Sequence, residues 1–270
     1  MLNDRVTIVS QERLAPGIEK ITLLAPEIAR AAAPGQFVNL YSDEKDKLLP
    51  RPISICEVDP ERGLLILIYA VVGKGTAEMA AKQAGDTMRV LGPLGKGFPL
   101  EEAERAEEVL VVGGGLGMPP LLYLCRRLSE LGVCRDKLKI FLGFRSEAWM
   151  GEEFAPYGTV FMASDDGATG FKGNAVQCLQ LHVQQKSQNQ SAARVLYTCG
   201  PLPMMEAIQT AFMDDPNMSL WFSLEERMGC GFGACAGCPA QLRMPDGSIK
   251  REGVCKLGPV FPGKAVVFHE

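Results

Sequence analysis

At 270 residues the chain is long for one small core, so two or three domains are expected. Hydrophobic residues make up 47% and charged residues 22%, ordinary for a globular protein, and a net charge of -4 lacks the basic footprint of a nucleic-acid binder. The longest apolar run, LLILIYAVV from Leu64 to Val72, is about half of the ~20 residues a spanning helix needs, and charges interrupt the apolar stretch of MLNDRVTIVSQERL. Neither a membrane span nor a signal peptide is therefore expected, and a cytoplasmic setting follows.

Short β-rich runs occupy residues 5 to about 97: RVTIVSQERL, IEKITLLA, GQFVNLY, PISICEVD, LLILIYAVV and TMRVLGPLG. Gly, Pro and Asp punctuate them, as in an antiparallel barrel or sandwich. TAEMAAKQ interrupts with a short helix. Arg51 offers a permanent forked cation suited to phosphate, Pro52 fixes a turn, and Ser54 supplies a hydroxyl within reach of a flavin nitrogen. Tyr69 is expected to lie on a planar ring. Gly73-Lys74-Gly75-Thr76 opens the helix, where backbone N–H groups favour phosphate. Each signal is weak alone. Together, beside a nucleotide-binding pattern, they suggest a flavin dinucleotide.

After the charged boundary EEAERAEE the texture changes to alternating β and α. VLVVGGGLGMPPLLYLCRRLSELG reads as buried strand, Gly-rich turn and helix. KLKIFLGFRS and TVFMASDD add buried strands, and VLYTCGPLPMMEAIQTAFM repeats the strand, turn and helix order. Unalternated apolar strands point to a doubly wound parallel sheet covered on both faces. Gly113, Gly114, Gly115 and Gly117 stand where a dinucleotide turn is needed, although the motif is not G-x-G-x-x-G. Cys199 and Gly200 open a second turn on the same edge. Asp165 and Asp166 read as a solvated turn, and the lack of a basic pair for a 2′-phosphate favours NAD over NADP. His182 and His269 lie in no catalytic context and read as polar surface, as does VQQKSQNQSAA. No side chain is needed as general acid or base.

The nine cysteines are odd in number, which argues against a disulfide framework. Cys230, Cys235, Cys238 and Cys255 are spaced Cys-x4-Cys-x2-Cys-x16-Cys, the pattern of plant-type [2Fe–2S] loops. A four-cysteine zinc site is the competing reading, although zinc sites more often show two short-spaced pairs. The last segment also carries a strand-like pair, RMPDGSIK and AVVFHE, too small to fold on apolar burial alone, so a metal staple is plausible.

RPIS, IYxVxGxGT, GPLGxGFP, VVGGGLGMPPL, YTCGP and Cys-Gly-x-Gly-x-Cys-x-x-Cys, with a later Cys-x-x-Gly-Pro-Val-Phe, occur in that order between Val6 and Phe268. The chain thereby resembles the electron transfer subunits of NAD-dependent class B dihydroorotate dehydrogenase, within the ferredoxin–NADP reductase superfamily. The resemblance implies an antiparallel FAD-binding barrel over 1–99, a parallel-sheet NAD-binding domain over 100–222 and a small [2Fe–2S] module over 223–270. It implies FAD held by Arg51, Pro52, Ile53, Ser54, Ile68, Tyr69, Ala70, Gly75 and Thr76, a nicotinamide beside the Cys199 turn, and the four cysteines as cluster ligands. It also implies a partner subunit carrying FMN and oxidising dihydroorotate for pyrimidine synthesis, in a heterotetramer of two chains of each kind. Pro50 and Ala70 stand where relatives often carry Arg, and Leu257 where they usually carry Asp. A reductase serving another redox partner and a zinc-stapled, non-enzymatic module remain alternatives.

Overall fold

In the computed structural model, which describes residues 2–43, 48–185 and 192–268, the N-terminal alternation becomes a closed barrel. Its strands are β1 (Leu2–Ala15), β2 (Ile18–Leu24), β3 (Phe37–Tyr41), β4 (Arg51–Asp59), β5 (Leu64–Ala70) and β6 (Thr87–Leu94), in the order β1-β2-β5-β4-β3-β6. Every pairing is antiparallel. Period-2 sequence decides which side chains fill it. Ile21 and Leu23, Val38 and Leu40, Leu65 and Leu67, and Met88 and Val90 are all 0% exposed. On β4 the alternation breaks, with Ile55, Cys56 and Val58 all buried, where the register slips between Ile55 and Glu57. Helix α1 (Pro26–Ala31) follows β2, and α2 (Lys74–Ala81) follows β5.

The second region opens with α3 (Glu101–Arg105), formed by the charged boundary with its acids in the first turn, where the helix dipole favours them. It continues through β7 (Glu108–Gly114), α4 (Met118–Glu130), β8 (Leu138–Phe144), β9 (Thr159–Ser164), β10 (Phe171–Lys172), α5 (Ala175–Gln185), β11 (Arg194–Cys199), α6 (Leu202–Phe212) and β12 (Met218–Ser223). After these come the two-stranded sheet of β13 (Pro239–Arg243) and β14 (Ile249–Gly253), then α7 (Val254–Leu257) and β15 (Val260–Pro262). The large sheet runs β10-β9-β8-β7-β11-β12-β15, with every pair from β10 to β12 parallel. The chain steps outward from β7 to β8, β9 and β10, then returns to β11 on the other side of β7. That reversal places a topological switch point at the carboxyl ends of β7 and β11, the usual ligand position in such sheets.

Two compact units result. One comprises Met1–Gly97, Glu225–Ala240 and Arg251–Val260; the other comprises Phe98–Leu224, Gln241–Lys250 and Phe261–Glu270. The C-terminal segment is thus divided between them. In the first unit it covers part of β3. A Cβ at Gly95 would meet Pro259 Cδ at 2.6 Å and Phe37 Cε1 at 3.1 Å, and Lys96 N donates to Gly258 O at 2.6 Å.

Some expectations are corrected. His182 is not polar surface: it lies on the inner side of α5 beside Phe141 and Phe161, with Nε2 2.9 Å from Glu108 Oε1. Arg194 Nε donates to the other oxygen of Glu108 at 3.2 Å, and both residues are buried. Nothing in a lone His within AVQCLQLHVQQ marks it as the third member of an ion cluster built from two strand starts. The described part of AVVFHE, residues 265–268, forms no strand: a turn at 263–265 is followed by a single bridge between Leu242 and Val266. Of VQQKSQNQSAA, Val183 to Gln185 close α5, and residues 186–191, like His269, lie outside the described residues.

Candidate functional site

Strand β4 presents Arg51, Pro52, Ile53 and Ser54 as a half-buried run paired with β3, Arg51 opposite Leu40 and Ser54 opposite Phe37. Arg51 Nη1 donates to Leu49 O at 2.5 Å, and the guanidinium packs against Gly75 so closely that no side chain fits there. The cation and the N-terminus of α2, expected separately, therefore meet at one spot. Thr76 is used locally: its hydroxyl accepts from Val72 N at 2.9 Å and Gly73 N at 3.1 Å, and donates to Gly73 O at 3.0 Å. This closes the cap, so a fixed cation stands beside the first turn of α2, the combination a diphosphate site uses.

Tyr69 differs from expectation. Its side chain is 2% exposed, and Gln11 Nε2 donates to its hydroxyl at 3.0 Å. Burial, chiefly, pushes the phenol up to about 12, the Gln11 bond opposing it. The ring is core, because in a strand whose alternate residues Leu65 and Leu67 already point inward, the terminal Ile68-Tyr69 pair is buried on both faces. Ala70 remains half-buried at the strand end.

In the second unit the two expected turns interlock. Cys199 pairs with Gly113 across β11 and β7, and Thr198 Oγ1 donates to Val112 O at 2.8 Å. A Cβ at Gly114 would lie 2.9 Å from Met204 Sδ, and one at Gly200 would lie 2.6 Å from Met204 Cε. Gly113 abuts Met118, and Gly117 abuts the Cys199 carbonyl. Three of the four glycines therefore serve packing. Gly115 differs: it has φ of +54°, and a Cβ there meets nothing within 4 Å. Cys199 is 1% exposed. Asp165 and Asp166 lie exposed in the turn after β9, as expected. Hydrogen bonds from Ser146 and from the Ala168 amide hold the Asp166 carboxyl below its ordinary range.

The cysteines converge in the first unit. Cys238 and Cys255 are buried, and Cys255 N approaches Cys238 Sγ at 3.5 Å. Burial, then the Cys238 thiol and the charges of Cys238 and Cys230, push Cys255 up to about 12. Burial also raises Cys230, but the N–H groups of Phe232, Cys235 and Ala234 and the Cys235 thiol outweigh it and set that thiol at about 6. Ala234 N donates to Cys230 Sγ at 3.2 Å. A Cβ on Gly229 or Gly237 would come within 3.2 and 3.3 Å of Cys235 Sγ. Among the described residues no group of three ligating side chains closes around a single ion. The thiols pair instead, Cys230 with Cys235 and Cys238 with Cys255. Two pairs, side by side and lined with N–H donors, suit a two-iron cluster. One edge is open: Phe232, Ala234, Cys235, Ala236 and Gly237 are exposed.

Sequence reasoning missed Asn39. It is 0% exposed in β3, and its Nδ2 donates to Cys230 O at 2.8 Å. The available signal was one amide within the otherwise apolar FVNLY.

Residues 225–267 match the family described as the iron-sulfur cluster binding domain of dihydroorotate dehydrogenase B. A relative from Bacillus caldolyticus, named dihydroorotate dehydrogenase B (NAD(+)), electron transfer subunit, is 41% identical over 98% of this chain and 98% of its own length. A Shouchella clausii protein of the same name is 42% identical, with 97% of each chain covered. Among solved structures, an NADH-dependent reduced ferredoxin-NADP oxidoreductase studied for flavin-based electron bifurcation superposes with a TM-score of 0.80 at 27% identity, covering 97% of this chain and 90% of that one. A Neisseria gonorrhoeae ferredoxin NADP+ reductase with bound FAD and NADP shares the fold, with a TM-score of 0.64 at 14% identity over 82% of this chain and 99% of that one.

Proposed function

Because the chain belongs to the family of electron transfer subunits of NAD(+)-dependent dihydroorotate dehydrogenase B, we propose that it relays electrons from an FMN-bearing catalytic subunit, which oxidises dihydroorotate in pyrimidine synthesis, to NAD+. FAD, when bound, exchanges hydride with NAD and single electrons with a [2Fe–2S] cluster, which is why the three belong in one protein. The chain's part is to bind, space and shield these groups. Residues 1–99 form the FAD domain, 100–222 the NAD domain and 223–270 the cluster module. Arg51 and the first-turn amides of α2 hold the FAD diphosphate. Pro52, Ile53 and Ser54, with Ile68 and Ala70 at the end of β5, line its ring, and Tyr69 backs them from the core. Thr76 acts through the cap rather than by touching phosphate. Gly115, on a platform made by Gly113, Gly114, Gly117, Cys199 and Gly200, admits NAD. Cys230, Cys235, Cys238 and Cys255 ligate the irons.

The observation that carries the reading is the pairing of four thiols, with backbone N–H groups aimed at sulfur, in the same unit as the barrel. The exposed edge of small residues beside Phe232, 43% exposed, supports docking of the catalytic subunit there. A heterotetramer of two chains of each kind in the cytoplasm completes the proposal. No helix among the described residues is long and apolar enough to cross a membrane.

The test is anaerobic co-purification with the catalytic subunit, followed by iron, sulfide, FAD and FMN analysis. Two irons and one FAD per chain are expected, with dihydroorotate-dependent NAD+ reduction only in the complex. A colourless chain holding stoichiometric zinc defeats the proposal, as does dihydroorotate oxidation by this chain alone. The likeness to the bifurcating oxidoreductase favours one second reading, service to a different redox partner. Isolation of the native complex decides between them.

A further inference from the structure

Asn39 occupies the centre of an apolar strand and is wholly buried. A neutral amide in such a place is costly unless both halves bond. Only the donor half does: Nδ2 reaches the Cys230 carbonyl, while Oδ1 is buried without a partner. The acceptor settles the amide's orientation, because a carbonyl oxygen can only accept. An orphaned buried acceptor is costly, so stability alone does not account for an amide here. The neighbours show what the amide joins. Asn39 is in register with Pro52 of RPIS, and a Cβ on Gly231 would lie 2.3 Å from Asn39 Nδ2.

Peptide geometry turns this contact into an orientation. Among the described residues the cis peptides are Gly92-Pro93 and Gly258-Pro259, so Cys230-Gly231 is trans. In a planar trans peptide the C=O and N–H point in opposite directions. With the carbonyl drawn toward β3, the Gly231 N–H points to the opposite side. Gly231 adopts φ of +74° there, and Ala234 N donates to the Cys230 sulfur at 3.2 Å.

We propose that Asn39 is a positioning residue for the cluster: by clamping the Cys230 carbonyl to the RPIS-bearing wall of the barrel, it fixes the peptide orientation that aims the loop's N–H groups at the ligand sulfurs and so raises the cluster's reduction potential. The inference rests on the [2Fe–2S] reading above. N–H dipoles directed at sulfur favour the added electron, and loosening them lowers the potential.

Two variants test it in the holo complex. Asn39→Leu keeps the volume and deletes the donor, and Asn39→Asp sets an acceptor against the Cys230 carbonyl. EPR-monitored redox titration is read alongside iron content, FAD content and FAD potential. Both variants are expected to hold iron and FAD, with the FAD potential unchanged and altered cluster g-values. The cluster's reduction constant should fall about tenfold, ~59 mV for a one-electron couple. Loss of iron from both variants, with FAD retained and an unaltered melt of the iron-free chain, also supports the proposal, since the loop then fails to present its sulfurs. Iron-loaded variants with the wild-type potential and EPR signature overturn it. So does joint loss of iron and FAD with a lowered melting temperature, which marks plain packing. A wild-type complex without iron sinks the cluster reading itself, and this inference with it.

Discussion

The Arg51 guanidinium lies against the Cα of Gly75, where a Cβ would stand 2.0 Å from Nε and 2.1 Å from Cζ. Two residues 24 positions apart are thus matched: the cation sits at the start of α2 only because position 75 has no side chain. The arrangement places a fixed positive charge beside the first turn of α2, and it makes the glycine as important to the site as the arginine.

Gly75→Ala should therefore displace the guanidinium and weaken FAD binding at least ~10-fold, about 1.4 kcal/mol. Arg51→Ala should weaken it similarly, and the double variant should be little worse than Arg51→Ala, because the clash has then lost its partner. FAD fluorescence titration of the four proteins reads this, and fully additive losses would contradict it.

The glycines of the β7 turn should separate into two kinds. A Cβ on Gly117 would stand 2.1 Å from the Cys199 carbonyl oxygen and 2.4 Å from Gly200 N, backbone that cannot yield. Gly117→Ala should cost about 3 kcal/mol of stability. Gly115→Ala meets open space and bears only the strain of a left-handed residue, about 1–2 kcal/mol, but it should raise the KM for NADH more than it lowers the melting temperature. Calorimetry and NADH–ferricyanide kinetics on both variants distinguish the cases.

The buried cluster of Glu108, Arg194 and His182 predicts a large response to a small change. Glu108→Gln leaves the Arg194 cation in a buried place with no countercharge on the residue it bonds, which should cost about 3 kcal/mol in urea unfolding. Glu108→Gln with Arg194→Met should recover part of that loss. NADH kinetics should be unaltered, since the cluster lies where β7 and β11 start and the nucleotide turns lie where they end.

Removing iron should loosen a defined part of the molecule. Chelation under reducing conditions should bleach the cluster absorption and raise hydrogen exchange in residues 225–240 and 251–260. FAD should stay bound, and β8, with Ile140, Phe141 and Leu142 at 0% exposure, should stay protected. Exchange rising throughout β3 to β5 would show instead that the cluster holds the barrel together.

Much of this was legible before any coordinates. Apolar alternation in β5 and unbroken apolarity in VLVV are local patterns, and they determine strand type, burial and the two sheet classes. Spacing alone picked out Cys230, Cys235, Cys238 and Cys255, because three ligands of one cluster must lie within reach along a single loop. The burial of Tyr69 and the place of His182 escape the sequence for a common reason. A phenol near a flavin motif and an imidazole in a polar helix each take their role from which face the fold covers, and Gln11, Glu108 and Arg194 are distant in sequence.

By itself, then, the amino-acid order determined the elements, the cofactor-type spacings and the family. Only tertiary packing decided that Arg51 rests on Gly75, that Gly117 fills against Cys199, and that Asn39 grips Cys230 from 191 residues away. Periodicity and ligand spacing are properties of a few consecutive residues. A hydrogen bond between a barrel strand and a cluster loop depends on how the chain's two ends pack, and no local pattern encodes it.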